Sequence, residues 1–214
     1  MVDVEVVRTR PIVLHGVDWE TYERLLREHA DASAPRYTYD RGTLEIMSPL
    51  AIHERINRLL QLLLPIIAEG TGADLCSLGS TTFSREDLQR GFEPDSCFYI
   101  ANEAKVRGKE RIDLHVDPPP DLVFEVHVTH STLDKLAIYA QLGVPEVWRY
   151  NGERFQVLIL AGDHYTEQRQ SQAFPMAEAA ALALLFRGSI TLSDMAWIRR
   201  ARTWVRTLEP GTAI

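Results

Sequence analysis

Cysteine is scarce: the 214-residue chain has two, Cys76 and Cys97. That is too few for a disulfide framework, and their separation is not one that a metal site uses. Free, buried thiols in a reducing cytoplasm are therefore expected. Long apolar runs are lacking as well. The longest, Leu59 to Ala68, is interrupted by Gln61 and Pro65 and is too short to cross a bilayer. The N-terminal MVDVEVVRTRPIVL mixes acidic and basic residues without an uncharged stretch, which argues against a signal peptide or membrane anchor. No internal repeat, low-complexity tract or long linker is present. A single domain over 1–214 is expected, with a helix and hairpin at about 15–48 and a helical tail at about 175–208.

Positive charge is also in deficit. The 23 Lys and Arg face 30 Asp and Glu, for a net charge of −7. A protein that merely coats nucleic acid neutralises phosphates with a basic surface, so this balance counts against that class. It leaves room for an enzyme whose acidic groups are neutralised by metal ions. Some basic charge gathers at Arg199, Arg200, Arg202 and Arg206.

What is present is a mixed order of elements. Asp18 suits the N-cap of a helix from Glu20 to Glu28, with Trp19, Tyr22, Leu25 and Leu26 on its apolar side. Arg36-Tyr-Thr-Tyr-Asp40 and Thr43-Leu-Glu-Ile-Met47 flank Arg41-Gly42 as a hairpin. A long helix from about Leu50 to Glu69 follows Ser48-Pro49, with Gly70 as its stop. Short strands are expected at Leu75–Leu78 and Asp95–Ile100, and a charged loop at Asn102–Val116. Pro118-Pro-Pro120 leads into Asp121-Leu-Val-Phe-Glu-Val-His-Val128, a run suited to a central strand. A helix from Thr132 to Leu142 then has Ser131 and Asp134 at capping-box-like spacing and Gly143 as a stop. Strands Glu146–Tyr150 and Phe155–Leu160 flank Asn151-Gly152, a two-residue hairpin signal. Helices at Met176–Phe186 and Leu192–Thr207 close the chain. The whole reads as an α/β domain with a mixed sheet.

Chemistry concentrates on two carboxylates. Asp95 opens one strand and Glu125 lies inside the next strong one. A hard cation such as Mg²⁺ needs oxygen ligands, typically one or two carboxylates with water and substrate phosphate, and neighbouring strands can supply one each. Asp121 also follows a proline, but at about 3.3 Å per residue it lies roughly 13 Å from Glu125 along one strand. That separation is too wide to share an ion. The basic group such a site requires has two candidates. His127 shares the face of Glu125 by period-two alternation, and Lys135 lies in the following helix on a flank with Tyr139 and Leu142.

A resemblance follows from these residues. Gly42-Thr-Leu-Glu-Ile-Met-Ser-Pro49 with His53, then Glu-Pro-Asp95, Pro-Asp-Leu-Val-Phe-Glu125 and Asp134-Lys135 before Tyr139-Ala-Gln-Leu-Gly-Val-Pro-Glu-Val-Trp148, resembles the Uma-two family. That family is one of restriction-endonuclease-like proteins in the PD-(D/E)xK nuclease superfamily. The likeness spans roughly residues 15 to 200. It implies a restriction-endonuclease-like mixed β-sheet flanked by helices, Mg²⁺ (or Mn²⁺) dependence and cleavage of DNA. Position by position, Asp95 and Glu125 match the acidic metal ligands, and Lys135 the lysine displaced from the strand onto the next helix. Glu45 and His53 match polar positions beside the site. The wider superfamily's Glu-x-Lys stands here as Glu125-Val126-His127, without the strand lysine.

The working assignment is that Asp95, Glu125 and the backbone carbonyl of Val126 bind the ion, with Lys135 as the basic group and His127 as substitute or helper. Each residue has a plainer reading. Asp95 alone would serve as a strand-start residue and Glu125 as a buried glutamate paired with an arginine. Glu45 would be a strand-edge ion-pair partner, and His53, on one helix face with Asn57, a packing residue. A catalytically inactive nuclease-fold module that binds nucleic acid or protein is the competing function. A homodimer is expected because two strands need two active sites, with Trp197 and Trp204 as a candidate interface.

Overall fold

The computed structural model describes residues 11–29, 34–127 and 133–208. Strand β1 (Ile12–His15) precedes helix α1 (Trp19–Glu28), which Asp18 caps through a 2.8 Å bond from the Thr21 N–H. Strands β2 (Arg36–Asp40) and β3 (Thr43–Met47) form the hairpin that the sequence suggests. Its turn places both Arg41 and Gly42 at positive φ, 45° and 87°, the demand of a tight two-residue hairpin. Helix α2 (Ala51–Thr71) is longer than expected and ends at Gly72, whose φ of 68° makes a left-handed cap. Gly70, expected as the stop, lies inside the helix.

Strands β4 (Cys76–Gly79), β5 (Phe83–Arg85), β6 (Arg90–Phe92) and β7 (Ser96–Tyr99) follow. A single-turn helix α3 (Glu103–Val106) sits in the excursion expected as a loop. Strand β8 (Leu122–Val126), helix α4 (Lys135–Gln141) and strand β9 (Glu146–Tyr150) make a parallel β-α-β unit. The expected strand end at Val128 and helix start at Ser131 and Thr132 lie outside the described residues. Strands β10 (Phe155–Ala161) and β11 (His164–Gln168) and helices α5 (Ala179–Phe186) and α6 (Asp194–Leu208) complete the chain.

The fold is α/β, but the strands divide into two sheets where one was expected. A five-stranded antiparallel sheet runs β1-β3-β2-β6-β5, and a six-stranded mixed sheet runs β11-β10-β9-β8-β7-β4. Among the described residues of the larger sheet, only β8 and β9 pair in parallel.

Alternation along β8 explains why that strand is buried throughout. Leu122, Phe124 and Val126 enter one core with α2, α5 and α6 residues, among them Leu60, Phe186 and Trp197. Val123 enters a second core on the opposite face, with Phe92, Ile138 and Tyr139. Helix α1 covers the smaller sheet through Trp19 and Tyr22, the latter stacked on Tyr39 at 4.8 Å.

Trp197 is fully buried and donates to the Leu59 carbonyl at 2.8 Å, which corrects its place in an expected dimer interface. Both cysteines are free. Cys97 is buried, its thiol pushed up to about 12 mainly by that burial, whereas Cys76 is partly exposed. No helix among the described residues is long and apolar enough to cross a membrane.

Candidate active site

Three adjacent strands carry the site in one row. The antiparallel register pairs Ser96 of β7 with Phe124 of β8, so the next pair along the ladder is Asp95 with Glu125. The parallel register then sets Glu125 beside Arg149 of β9. Alternation puts Asp95, Glu125 and Arg149 on the sheet face that α4 covers, since Cys97, Val123 and Val147 of the same strands enter that core.

Both carboxylates are buried, and each oxygen of both accepts from a donor. Asp95 Oδ1 accepts from Arg36 Nη1, and Oδ2 from the Val126 N–H at 2.7 Å. Glu125 Oε1 accepts from the Tyr139 hydroxyl, and Oε2 from Lys135 Nζ at 3.1 Å. Burying an ionised carboxylate without such partners is costly. Lys135, the first residue of α4, therefore reaches the strand face despite its displacement along the chain. Arg36 pairs with Asp95, whereas Glu125 pairs with Lys135.

Helix α2 supplies the surrounding shell. Asn57 Nδ2 donates to the Asp95 carbonyl at 2.8 Å, and Asn57 Oδ1 accepts from Ser96 Oγ at 2.7 Å. These bonds fix the backbone from which the Asp95 side chain projects. One turn earlier Glu54 accepts from Arg36 Nη2 at 2.6 Å. His53 is 2% exposed, and its Nε2 has no hydrogen-bond partner among the described residues. Burial is the main reason that His53 titrates below its ordinary 6.5. The Arg36 and Lys135 charges push the same way, while Glu54 opposes them. Glu45 is buried on β3, and its Oε2 accepts from the Leu133 N–H at 3.3 Å, which joins the smaller sheet to the approach of α4.

Glu93 stands two residues before Asp95 and accepts from Thr82 Oγ1 at 2.6 Å and the Tyr37 N–H at 2.8 Å. Burial raises its carboxyl above the ordinary range. His127 leaves the end of β8 with its N–H on the Tyr150 carbonyl at 2.8 Å and its ring half-buried. Asp121 is at the far end of β8, where it accepts from the Ile100 and Asn102 N–H groups at 2.7 and 2.9 Å. It is a loop-fixing residue, remote from the carboxylate pair.

Reasoning from sequence missed Arg36, Glu54, Glu93, Arg149 and the Tyr139 hydroxyl as members of this cluster. The usable signal for Arg149 was a charge inside a strand with apolar neighbours, which needs a partner or a ligand.

The donor set fits a hard divalent cation, because two carboxylates oppose each other at the end of adjacent strands. Among the described residues no group of three or more His, Cys, Asp and Glu is gathered around one point. Backbone carbonyl, water and phosphate would complete the shell, as is usual for Mg²⁺.

A solved structure described as a "putative nuclease belonging to DUF820" from Anabaena variabilis is 12% identical, covering 84% of this chain and 98% of that one, with a TM-score of 0.45. No curated protein matches the chain. The family Uma2, described as "Putative restriction endonuclease", matches residues 19–193, a span that contains both sheets' central strands and every residue of the cluster. The chain belongs to the Uma2 family.

Proposed function

We propose that this protein is a metal-dependent endonuclease that hydrolyses phosphodiester bonds of DNA. The observation that carries the reading is the opposition of Asp95 and Glu125 across β7 and β8, with Lys135 Nζ 3.1 Å from Glu125. Membership of the family described as "Putative restriction endonuclease" supports the substrate class.

Asp95, Glu125 and the backbone carbonyl of Val126 would hold Mg²⁺ or Mn²⁺. When bound, such an ion acidifies water and neutralises phosphate charge. Lys135 then stabilises the negative charge that develops on the phosphate, with His127 as substitute or helper. Tyr139 orients Glu125, and Asn57 orients the Asp95 backbone. Glu45 ties β3 to the segment that delivers Lys135, and His53 offers a neutral ring nitrogen to this environment. A homodimer would present two such sites to a duplex.

The test is metal binding by Asp95→Ala alongside plasmid nicking. Loss of both supports the reading, whereas unchanged metal binding would remove Asp95 from the site. Nucleic-acid binding without nicking by the intact protein would favour a nuclease-fold binding module.

A further inference from the structure

Among the described residues Arg149 is a cation without a counter-ion of its own beside the carboxylate pair. The register of β8 and β9 sets it next to Glu125, on the face shared with Asp95. Both oxygens of Glu125 are already taken, by Lys135 and Tyr139. Among the described residues Arg149 has no ion-pair or hydrogen-bond partner for its side chain, and its Nε is sealed from solvent with no acceptor. The same charge is felt by the Tyr139 hydroxyl, which it acts to acidify, so the guanidinium stands close to the Glu125–Tyr139 pair.

An ordinary surface arginine keeps its donors in water. In Arg149 the Nε donor is withdrawn from water without an acceptor, while the residue as a whole stays partly accessible. A guanidinium in that position is a preformed fork for an anion with oxygen acceptors, and phosphate matches its geometry. Strands about 4.8 Å apart put it one strand beyond Glu125 and two beyond Asp95. A phosphate bound there lies alongside the one held at the carboxylates, as successive phosphates of one nucleic-acid strand do.

We propose that Arg149 binds a backbone phosphate of the nucleic acid neighbouring the one that is cleaved. This rests on the nuclease reading above and adds a residue that sets the register of the strand across the sheet end. Arg149 acts on binding and position, and touches no reacting atom.

The experiment measures binding of a short DNA duplex in Ca²⁺ over a range of salt, for the intact chain, Arg149→Gln and Arg149→Lys. Divalent-cation titration and thermal unfolding accompany each. One fewer phosphate contact lowers the slope of log affinity against log salt by about 0.9 in Arg149→Gln. Its KM for nicking rises several-fold while kcat changes less, the cation is still bound, and Arg149→Lys recovers part of the slope. An unchanged slope and KM in Arg149→Gln, with the intact chain binding and nicking DNA, would overturn the phosphate contact and leave the nuclease standing. Should the intact chain bind no DNA, both readings fall together. If Arg149→Gln does not fold, Arg149→Lys carries the test through KM and the slope.

Discussion

Lys135 Nζ lies 3.1 Å from Glu125 Oε2, although ten residues separate the two along the chain. The connection works because β8 ends and α4 begins over the same sheet face, so the first helical residue looks back at the strand's carboxylate. Tyr139, one turn further along α4, holds the other oxygen. The two side chains make Glu125 a fixed point.

Tyr139→Phe removes the hydroxyl and keeps the ring, which packs on Phe92 at 4.5 Å. Hydrogen bonds to a charged acceptor contribute about 1.5–3 kcal/mol, so the variant should lose stability of that order. Urea unfolding at pH 7 measures it. A change below a few tenths of a kcal/mol would show that the hydroxyl does not hold the carboxylate.

The two Pro-Asp sequences should separate by function. Asp121→Ala deletes the acceptor for the Ile100 and Asn102 N–H groups and is expected to lower the unfolding temperature while divalent-cation affinity persists. Asp95→Asn should abolish that affinity. Equal losses of affinity in both variants would refute the assignment.

Arg36 is the charge partner of Asp95 and also bonds Glu54. Arg36→Gln leaves a buried carboxylate without its cation, which typically costs about 3–5 kcal/mol. A divalent ion that binds Asp95 would offset part of this, by linkage. Thermal unfolding with and without Mn²⁺ should therefore show a larger metal-induced rise for Arg36→Gln than for the unmodified chain. An equal rise would place the ion away from Asp95.

His53 sets a pH dependence whose sign follows from its depressed titration. In the unfolded chain the ring takes a proton near its ordinary 6.5, while burial, with Arg36 and Lys135, keeps it neutral to lower pH in the fold. Between those two points the unfolded state holds more protons, so stability is complete above 6.5 and is lost as pH falls through the folded value. Glu93 opposes this in its own window, because its raised carboxyl favours the fold below its folded value and loses that contribution as pH rises. Comparison with His53→Gln isolates the histidine contribution. Its ring protons should titrate below 6.5 by NMR, and titration at or above 6.5 would contradict the buried placement.

Local chemistry was legible in the sequence, and long-range contacts were not. Asp18 caps α1 and Arg41-Gly42 turns the β2–β3 hairpin as their residue types require. Gly70 was misread as a helix stop because its role depends on α6: a Cβ there would come within 2.6 Å of Val205 Cγ1. Asn151-Gly152 signalled a two-residue turn, yet the register joins Tyr150 to Phe155 across four loop residues. Asn151 Oδ1 instead accepts from the Glu153 and Arg154 N–H groups, closing the wider loop. Strands β1 and β11 are short and largely exposed, so neither shows the hydrophobic alternation that marks a strand.

The site divides in the same way. Asp95, Glu125 and Lys135 stood out by spacing and by likeness to a family pattern. Arg36 did not, because its partner Asp95 is 59 residues away and nothing near Arg36 in sequence marks it. The Tyr139 hydroxyl was hidden by a residue type that packs equally well with no bond to make.

The most direct test of the central claim is calorimetric titration of Mg²⁺ and Mn²⁺ into the intact chain and Glu125→Ala, with plasmid nicking followed in the same buffers. The carboxylate pair predicts that the intact chain binds the ion and nicks the plasmid, and that both signals vanish in Glu125→Ala. Ion binding that survives unchanged in the variant, or nicking that continues without Glu125, would contradict it.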